Sequence, residues 1–222
     1  MAKREAPEQT ALLEPREDMA SAAEQLAEAA RAAKECRACP LWEIGTQTVF
    51  GSGPATARLM FIGEAPGQHE DQQGVPFVGP AGQLFDQALQ QAGLDRAEVY
   101  VTNVVKHRPW VSQGRRKKNR PPKQSEINAC RPWLEEELRL VRPAIIVCCG
   151  AHPARAILGK DFKLTQQRGQ WLPGPDDVAV LATFHPSYVL IQPEESHDRL
   201  KETLFEDFRL VAGRYRTLEP RA

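Results

Sequence analysis

Four short apolar runs constrain the fold of this chain more than any other feature of its sequence. They cover residues 58–63, 99–105, 144–150 and 178–184, with little alternation of apolar and polar side chains. Longer segments with helical spacing lie between and after them, at residues 82–93, 125–141, 152–159 and 195–213. Apolar strands that alternate with helices are typical of a parallel sheet covered on both faces. The sequence therefore predicts an α/β fold.

The N-terminal residues differ from the rest, because they mix charge, proline and small side chains without apolar periodicity. This composition predicts a flexible tail. Ser21 and Glu24 have the spacing of a helix-capping box, which predicts a helix that ends just before Cys36. We therefore expect a tail over residues 1–20 and a single domain over residues 21–222.

Charge and hydropathy exclude a membrane-spanning protein. The 222 residues include 29 Lys and Arg against 29 Asp and Glu, and no run approaches the roughly 18 consecutive apolar residues of a membrane span. The N-terminus is too polar for the core of a signal peptide, so we expect a cytoplasmic protein. In that reducing compartment its five cysteines serve as metal ligands, cluster ligands or core residues rather than in disulfides. Cys148 and Cys149 lie in an apolar run, which predicts buried core residues.

Polar residues follow three of the four apolar runs. Glu64 follows the first run, Asn103 lies near the end of the second, and His185 follows the fourth. Parallel strands gather their carboxyl ends at one edge of a sheet, where such folds place ligand sites. Each residue alone could be a turn cap, a surface carboxylate or a loop histidine, but their shared position predicts one site.

Four motifs, in this order, resemble those of the family 4 uracil-DNA glycosylases. They are GEAPGQHED at residues 63–71, GVPFVGPAG at 74–82, VTN at 101–103 and HPS at 185–187. The resemblance extends over nearly all of residues 36–212. It implies a DNA repair enzyme that hydrolyses the N-glycosidic bond of uracil in DNA, releases free uracil and leaves an abasic site. It also implies a three-layer α/β/α fold, with a central four-stranded parallel sheet and an iron–sulfur cluster beside the active site.

The resemblance implies catalytic roles for two of these residues. Glu64 looks like the acid that orients or activates the attacking water, and His185 like the group that stabilises charge on the leaving uracil. Cleavage of the bond builds positive charge on the sugar and negative charge on uracil O2, so a carboxylate and a donor placed there favour the transition state.

The same resemblance assigns residues to the base. Asn103 would donate to O4 and accept from N3–H of uracil, a pattern that cytosine reverses. Phe77 would stack on the flipped base, although it could also be a core aromatic residue, and Glu70 would crowd the position where thymine carries a methyl group. Gly63 and Ala65, which flank the catalytic acid, are counted with these uracil-binding residues.

Three cysteines and one histidine are the candidate metal ligands. Cys36 and Cys39 have the two-residue spacing of a thiolate pair, and Cys130 matches the family's later cluster cysteine. The family's remaining cysteine is replaced here by His107, and imidazole can ligate iron in place of thiolate. We expect these four residues to hold a four-iron, four-sulfur cluster. A tetrahedral zinc ion is the alternative.

A basic segment is the strongest local bias in the composition. Residues 106–123 contain eight Lys or Arg and no acidic residue, so the rest of the chain carries about −8. This bias predicts phosphate contacts, with a solvated surface loop as the alternative. The candidate DNA-binding residues are Arg115, Arg116, Lys117, Lys118, Arg120, Ser187 and Tyr188. The last belongs to an apolar segment, residues 188–191, that lies where related enzymes insert a side chain into the gap left by the base, but that could equally begin a packed helix.

The basic insert and His107 also resemble the X-type uracil-DNA glycosylases, which become attached to the abasic sugar through a histidine in this loop. Asn119 occupies the place of that histidine, and an amide nitrogen is a poor nucleophile. Ala65 matches the turnover family, where the cross-linking relatives carry glutamine. The sequence thus predicts a monomeric turnover enzyme that acts on single- or double-stranded DNA. The alternatives are a uracil-DNA binding or cross-linking protein with little turnover, and a cluster-bearing domain related to phage DNA polymerase termini.

Overall fold

A computed structural model of the protein describes residues 17–219. Its strands are β1 (Leu59–Gly63), β2 (Tyr100–Asn103), β3 (Trp110–Gln113), β4 (Arg116–Asn119), β5 (Ile145–Cys149), β6 (Trp171–Pro173) and β7 (Ala179–Thr183). Its α-helices are α1 (Glu17–Lys34), α2 (Leu41–Ile44), α3 (Gln68–Gln73), α4 (Pro80–Ala92), α5 (Gln124–Val141), α6 (Ala151–Leu158), α7 (Leu164–Gln167), α8 (Pro186–Leu190) and α9 (Glu194–Arg216). The four predicted strands and the four predicted helices between and after them are all present.

The main sheet has five strands in the order β2-β1-β5-β7-β6. The first four are parallel to one another, as predicted. The fifth, β6, pairs antiparallel with β7 at the edge and was not predicted. Its three residues, Trp-Leu-Pro, are too few to show a periodic pattern, so its pairing depends on the neighbouring strand.

Helices cover both faces of the sheet, which confirms the three-layer α/β/α fold. Met60 and Ile62 of β1 join the core that packs under α1 and α5, whereas Leu59 and Phe61 join the core under α4 and α9. Successive side chains of a strand point to opposite faces. An uninterrupted apolar strand is therefore buried by a helix layer on each side.

The two adjacent cysteines of β5 follow the same rule. Cys148 belongs to one core and Cys149 to the other, and both are fully buried. The prediction that they are core residues is confirmed. Within residues 17–219, no helix combines the length and the apolar character needed to cross a bilayer.

The N-terminal helix begins earlier than predicted. It starts at Glu17, so Ser21 does not cap it, and the Ser21 hydroxyl instead accepts a hydrogen bond from the Gln25 side chain at 2.7 Å. A capping-box spacing inside a helix is also an ordinary i, i+3 pair, which explains the error. Residues 1–16 of the predicted tail lie outside the described residues.

The basic segment forms a two-stranded antiparallel hairpin, β3–β4, where the sequence suggested a loop. Gly114 adopts a positive φ of 62° in the two-residue connection, the backbone conformation that tight hairpin turns require. The run of basic residues gives this segment no alternation of apolar and polar side chains. The sequence pattern therefore did not reveal the hairpin.

Candidate active site

A pocket of about 410 Å³ opens at the carboxyl edge of the sheet. Its wall includes Asn103 from the end of β2, His185 from the segment after β7, Phe77, and Ala65, which directly follows Glu64. Residues that are up to 120 positions apart in the chain therefore meet at one cavity. The volume suits a ligand of nucleobase size.

Asn103, which lines this pocket, carries an unpaired hydrogen-bond acceptor. The residue is 2% exposed, and its Oδ1 is buried without a hydrogen-bond partner among the described residues. Because a buried acceptor left unpaired costs roughly 1–3 kcal/mol, this arrangement favours a ligand that brings a donor.

Gly63 makes room for that amide. It pairs with Asn103 across β1 and β2, and a Cβ at position 63 would lie 2.3 Å from Asn103 Oδ1 and 2.7 Å from the Phe77 ring. No side chain fits at such distances. The glycine predicted to bind substrate therefore leaves the space that the Asn103 amide occupies.

Phe77 is held in a strained backbone conformation, with φ of 56°. Its ring centroid lies 5.7 Å from that of His185 and 4.9 Å from that of Phe85. Phe77 is thus both a pocket wall and part of the core, and its stacking on a flipped base stays a prediction. Non-glycine residues with positive φ persist only where the surroundings impose them.

Glu70 supplies much of that constraint. Its buried carboxylate accepts hydrogen bonds from the backbone N–H groups of Gly67 at 3.0 Å, Val78 at 2.9 Å and Gly79 at 2.7 Å. The bonds from Val78 and Gly79 tie the end of the loop that carries Phe77 to α3, and the bond from Gly67 caps the start of that helix. Glu70 also lines the pocket, and its action at the base C5 position stays a prediction.

His185 has a defined tautomer when it is neutral. Its Nδ1 accepts a hydrogen bond from the backbone N–H of Ser187 at 3.1 Å and lies 2.7 Å from the Ser187 hydroxyl. The ring proton must then sit on Nε2, which is left as a donor. Burial lowers the pKa of His185, while the charges of Glu64 and Glu70 raise it by less. A neutral imidazole donor results.

Glu64 has a partner that the sequence analysis missed. Its Oε2 lies 2.6 Å from Nδ1 of His152, the second residue of α6, which follows β5 directly. That hydrogen bond raises the pKa of His152. The rule that found the other site residues, polar groups just past the strand ends, would have found His152 if it had been applied to the third apolar run.

The chain is similar in sequence to known uracil-DNA glycosylases. The model of the family described as "Uracil DNA glycosylase superfamily" matches residues 50–209. The type-4 uracil-DNA glycosylase of Sulfurisphaera tokodaii is 39% identical over 184 residues, which cover 79% of this chain and 78% of that protein. The type-4 enzymes of Saccharolobus solfataricus (37% over 186 residues, 80% and 81% coverage) and Thermotoga maritima (38% over 178 residues, 78% and 86% coverage) are similar to it as well.

The chain belongs to the type-4 uracil-DNA glycosylases. The family predicted from the four motifs is therefore confirmed. The resemblance of the basic insert and His107 to the X-type enzymes stays a prediction.

The basic hairpin lies beside the glycosylase pocket. Asn119, at the end of β4, lines the pocket, and its Oδ1 accepts a hydrogen bond from Arg108 Nε at 2.7 Å. The hairpin is anchored by Trp110, whose Nε1–H donates to the Ile44 carbonyl at 2.8 Å and whose ring lies 4.2 Å from Lys117 Nζ. Asn119 thus lies at the pocket wall, and its correspondence to the histidine of the X-type enzymes stays a prediction.

The eight basic residues counted along this segment differ in their surroundings. Arg115, Arg116, Lys117 and Lys118 are exposed. Lys106 is instead fully buried in an ion pair with Glu137 at 2.5 Å. Arg120 makes a bidentate pair with the buried Glu126, at 2.6 and 2.8 Å. The exposed positive surface is therefore smaller than the sequence count indicates, and Arg120 serves the start of α5.

The apolar segment at residues 188–191 is partly packed and partly exposed, and insertion of one of its side chains into DNA stays a prediction. Val189 is fully buried in the core, while Leu190 and the 78% exposed Ile191 stand at the rim of the pocket. Ser187 and Tyr188 are exposed beside them. An apolar side chain at a pocket rim is suited to contact unstacked bases.

The candidate metal ligands share a second, much smaller cavity. Its wall includes Cys36, Cys39, His107 and Cys130. The backbone N–H of Lys106 donates to Cys130 Sγ at 3.2 Å, and Nε2 of His107 lies 3.0 Å from the Thr48 hydroxyl. Among the described residues, no three His, Cys, Asp or Glu side chains are arranged to hold a single metal ion.

Proposed function

We propose that this chain excises uracil from DNA, using Asn103 to read the base and Glu64 and His185 to cleave the glycosidic bond. The observation that carries the proposal is the buried, unpaired Oδ1 of Asn103 in a pocket of nucleobase size. Uracil N3–H is a donor that satisfies this oxygen, and uracil O4 accepts from the amide nitrogen. Cytosine presents an acceptor and a donor at these positions, which the same amide orientation rejects.

The bond is hydrolysed between C1′ of the sugar and N1 of uracil. As the bond breaks, uracil leaves as an anion whose O2 accepts from Nε2–H of the neutral His185, and positive charge develops on the sugar. The carboxylate of Glu64 stabilises that charge and orients water. The water oxygen bonds to C1′, its proton passes to Glu64 or solvent, and uracil takes up a proton after release.

Uracil release by single-site variants tests this assignment. We expect Glu64→Ala and His185→Ser to slow single-turnover release by about 10²- to 10⁴-fold, since both groups act in the transition state. DNA affinity should change much less. Asn103→Ala should lose about 1–3 kcal/mol of preference for uracil over cytosine. Release by the variants at the wild-type rate would contradict the proposal.

We also propose that Cys36, Cys39, His107 and Cys130 hold a four-iron, four-sulfur cluster. Thiolate and imidazole are the donors such clusters use, and the four side chains converge on one cavity. The cluster would tie the end of α1 to α5 and to the segment after β2, which leads from the base-reading Asn103. Cys39→Ser should abolish visible absorption and iron content, while Cys149→Ser, in the core, should retain both. Stoichiometric zinc without iron would contradict this assignment.

The properties of His152 and Asn119 support turnover rather than covalent attachment to DNA. The imidazole of His152, 2.6 Å from Glu64, is the observation that favours covalent attachment as a second candidate function. Its raised pKa favours the protonated ring, which has no free lone pair, and the amide of Asn119 is not nucleophilic. We expect no SDS-resistant protein–DNA band on a denaturing gel after incubation with uracil-containing single-stranded DNA.

We propose that the enzyme acts as a monomer in the cytoplasm, on single- or double-stranded uracil-containing DNA. One chain supplies every residue assigned to the site. All five cysteines are free thiols in the structure, the state that a reducing compartment maintains. Light scattering of the purified protein, with and without DNA, measures the assembly state.

A further inference from the structure

The pair formed by Glu64 and His152 lies outside the roles assigned above. Both side chains are about one-third exposed, at 28% and 34%. Among residues 17–219, His152 is the hydrogen-bond partner that the structure gives to the Glu64 carboxylate. A glutamate side chain has three rotatable torsions, so without this contact the carboxylate would sample several orientations.

The sheet fixes the positions of the two partners relative to each other. β1 and β5 are neighbours that pair in parallel, with Ile62 opposite Cys148. Glu64 directly follows β1, and His152 is three residues beyond the end of β5. The start of α6 is itself held, because Gly150 N–H donates to the Thr183 carbonyl at 2.9 Å and Ala154 is fully buried.

Three charged or titratable groups face this imidazole or its partner. Arg155, one turn along α6, lowers the pKa of His152, and Glu64 raises it by more. His185, from the segment after β7, is within electrostatic reach of Glu64. Glu64 is thus in direct contact with His152 and within electrostatic reach of His185, the proposed donor to uracil.

We propose that His152 is a positioning residue, whose ring N–H holds the Glu64 carboxylate in the orientation that meets the attacking water. This inference rests on the proposed role of Glu64 in uracil excision. His152 would act through Glu64, so its loss should lower the rate of bond cleavage and leave DNA binding unchanged.

Three substitutions separate this role from a merely structural one. Asn places an amide N–H near the position of Nδ1, Ala removes the donor, and Asp places a second carboxylate against Glu64. A positioning role predicts that uracil release is fastest in the Asn variant, slower in the Ala variant and slowest in the Asp variant. Position 152 is in the first turn of α6, where an acidic side chain stabilises a helix. A merely structural role therefore predicts the opposite order for these two variants, with His152→Asp faster than His152→Ala.

The test measures single-turnover uracil release, DNA affinity and thermal unfolding for these three variants. We expect His152→Asn to stay within about threefold of wild type, His152→Ala to be about 10- to 100-fold slower and His152→Asp to be slower still, with DNA affinity unchanged within twofold. His197→Ala is the matched control, because His197 Nδ1 makes a similar contact with Asp198, at 3.1 Å, in α9.

Wild type and Glu64→Ala, assayed in parallel, separate failure of this inference from failure of the proposed function. If wild type releases no uracil, or Glu64→Ala matches it, the proposed function fails. If Glu64→Ala is slow but His152→Ala equals wild type, or if the rates follow the order of thermal stability, the positioning role is wrong. An SDS-resistant adduct that disappears in His152→Asn would make the imidazole a nucleophile and would also overturn it.

Discussion

At the scale of single residues, the position of the Asn103 side chain depends on the absence of a side chain at Gly63. The parallel register places them opposite one another, and the missing side chain at position 63 leaves the space that Asn103 Oδ1 and the Phe77 ring occupy. The position of the amide is therefore limited by the space that Gly63 leaves. The proposed discrimination between bases would follow, because such a site cannot relax towards the wrong one.

Gly63→Ala should abolish uracil release while the protein stays folded. The added Cβ would lie 2.3 Å from Asn103 Oδ1, so the amide or the Phe77 ring must move. Gly213→Ala in α9 is the control, because a Cβ there meets nothing within 4 Å, and it should stabilise the protein by about 0.5–1 kcal/mol. Single-turnover release and circular dichroism measure both effects. An active Gly63→Ala protein would mean that the amide does not read the base.

The two site histidines should titrate on opposite sides of the ordinary histidine pKa of about 6.5. The hydrogen bond to Glu64 raises the pKa of His152, and burial lowers that of His185. The stability from His152 is therefore complete below the ordinary value and is lost as the pH rises through the raised pKa. The stability from His185 is present above the ordinary value and is lost as the pH falls through the lowered pKa.

An NMR titration of the imidazole resonances checks these directions. Glu64→Gln should lower the midpoint of His152, because it replaces the charged acceptor with a neutral amide. Glu43→Gln, on α2, is the control and should leave the midpoint unchanged. A His152 midpoint below that of His185 would contradict the hydrogen bond that the structure shows.

At the scale of elements, the β3–β4 hairpin is the part of the molecule best suited to contact phosphates. It carries four exposed basic side chains, its last residue Asn119 lines the pocket, and Trp110 anchors it to the carbonyl of Ile44. Two paired strands present these charges on a fixed frame, whereas a loop of the same sequence would disperse them.

Replacement of Arg115, Arg116, Lys117 and Lys118 by serine should flatten the dependence of DNA affinity on salt. Each lost phosphate contact reduces the slope of log K against log salt by about 0.9 for duplex DNA and about 0.7 for single strands. A control with the same charge change replaces four exposed basic residues elsewhere, Lys160, Lys163, Arg209 and Arg214. Equal slopes for the two variants would mean that the hairpin is a solvated surface element that makes no phosphate contacts.

At the scale of the whole molecule, one buried carboxylate connects the sheet, α5 and the edge of the sheet that carries Asn103. Glu137 accepts from Lys106 Nζ at 2.5 Å, Gly51 N–H at 2.8 Å and the Tyr100 hydroxyl at 3.1 Å. Lys106 in turn donates to the backbone carbonyl of Asn103 at 2.8 Å. The network joins the pocket to the residue before His107, a proposed cluster ligand.

Glu137→Gln should destabilise the protein by about 3–5 kcal/mol, because it leaves the buried Lys106 charge unpaired. Adding Lys106→Met should recover part of that loss, since it removes the unpaired charge. Glu136→Gln, which breaks the exposed pair with Arg139 on the same helix, should change stability by less than about 1 kcal/mol. Urea unfolding measures all three. A Glu137→Gln loss no larger than that of Glu136→Gln would show that the ion pair contributes little.

The sequence was most informative where side chains repeat a pattern. The four apolar strands and the helices between them were predicted to within a few residues, because burial on two faces leaves a continuous apolar run. Asn103 and His185 were predicted, with Glu64, to share a site because parallel strands bring their ends to one edge, whereas Phe77 was assigned from the family resemblance. β6 and the hairpin escaped prediction, since three residues and a run of like charges show no periodicity.

The sequence by itself therefore determined the layers, the edge where the chemistry lies and the family, all of which depend on local patterns and motifs. The tertiary structure alone decided which side chains touch. It buried Lys106 against Glu137, engaged Arg120 with Glu126 and brought His152 to Glu64, 88 positions away. Such contacts depend on how separate elements pack, and the spacing of residues along one segment carries no information about them.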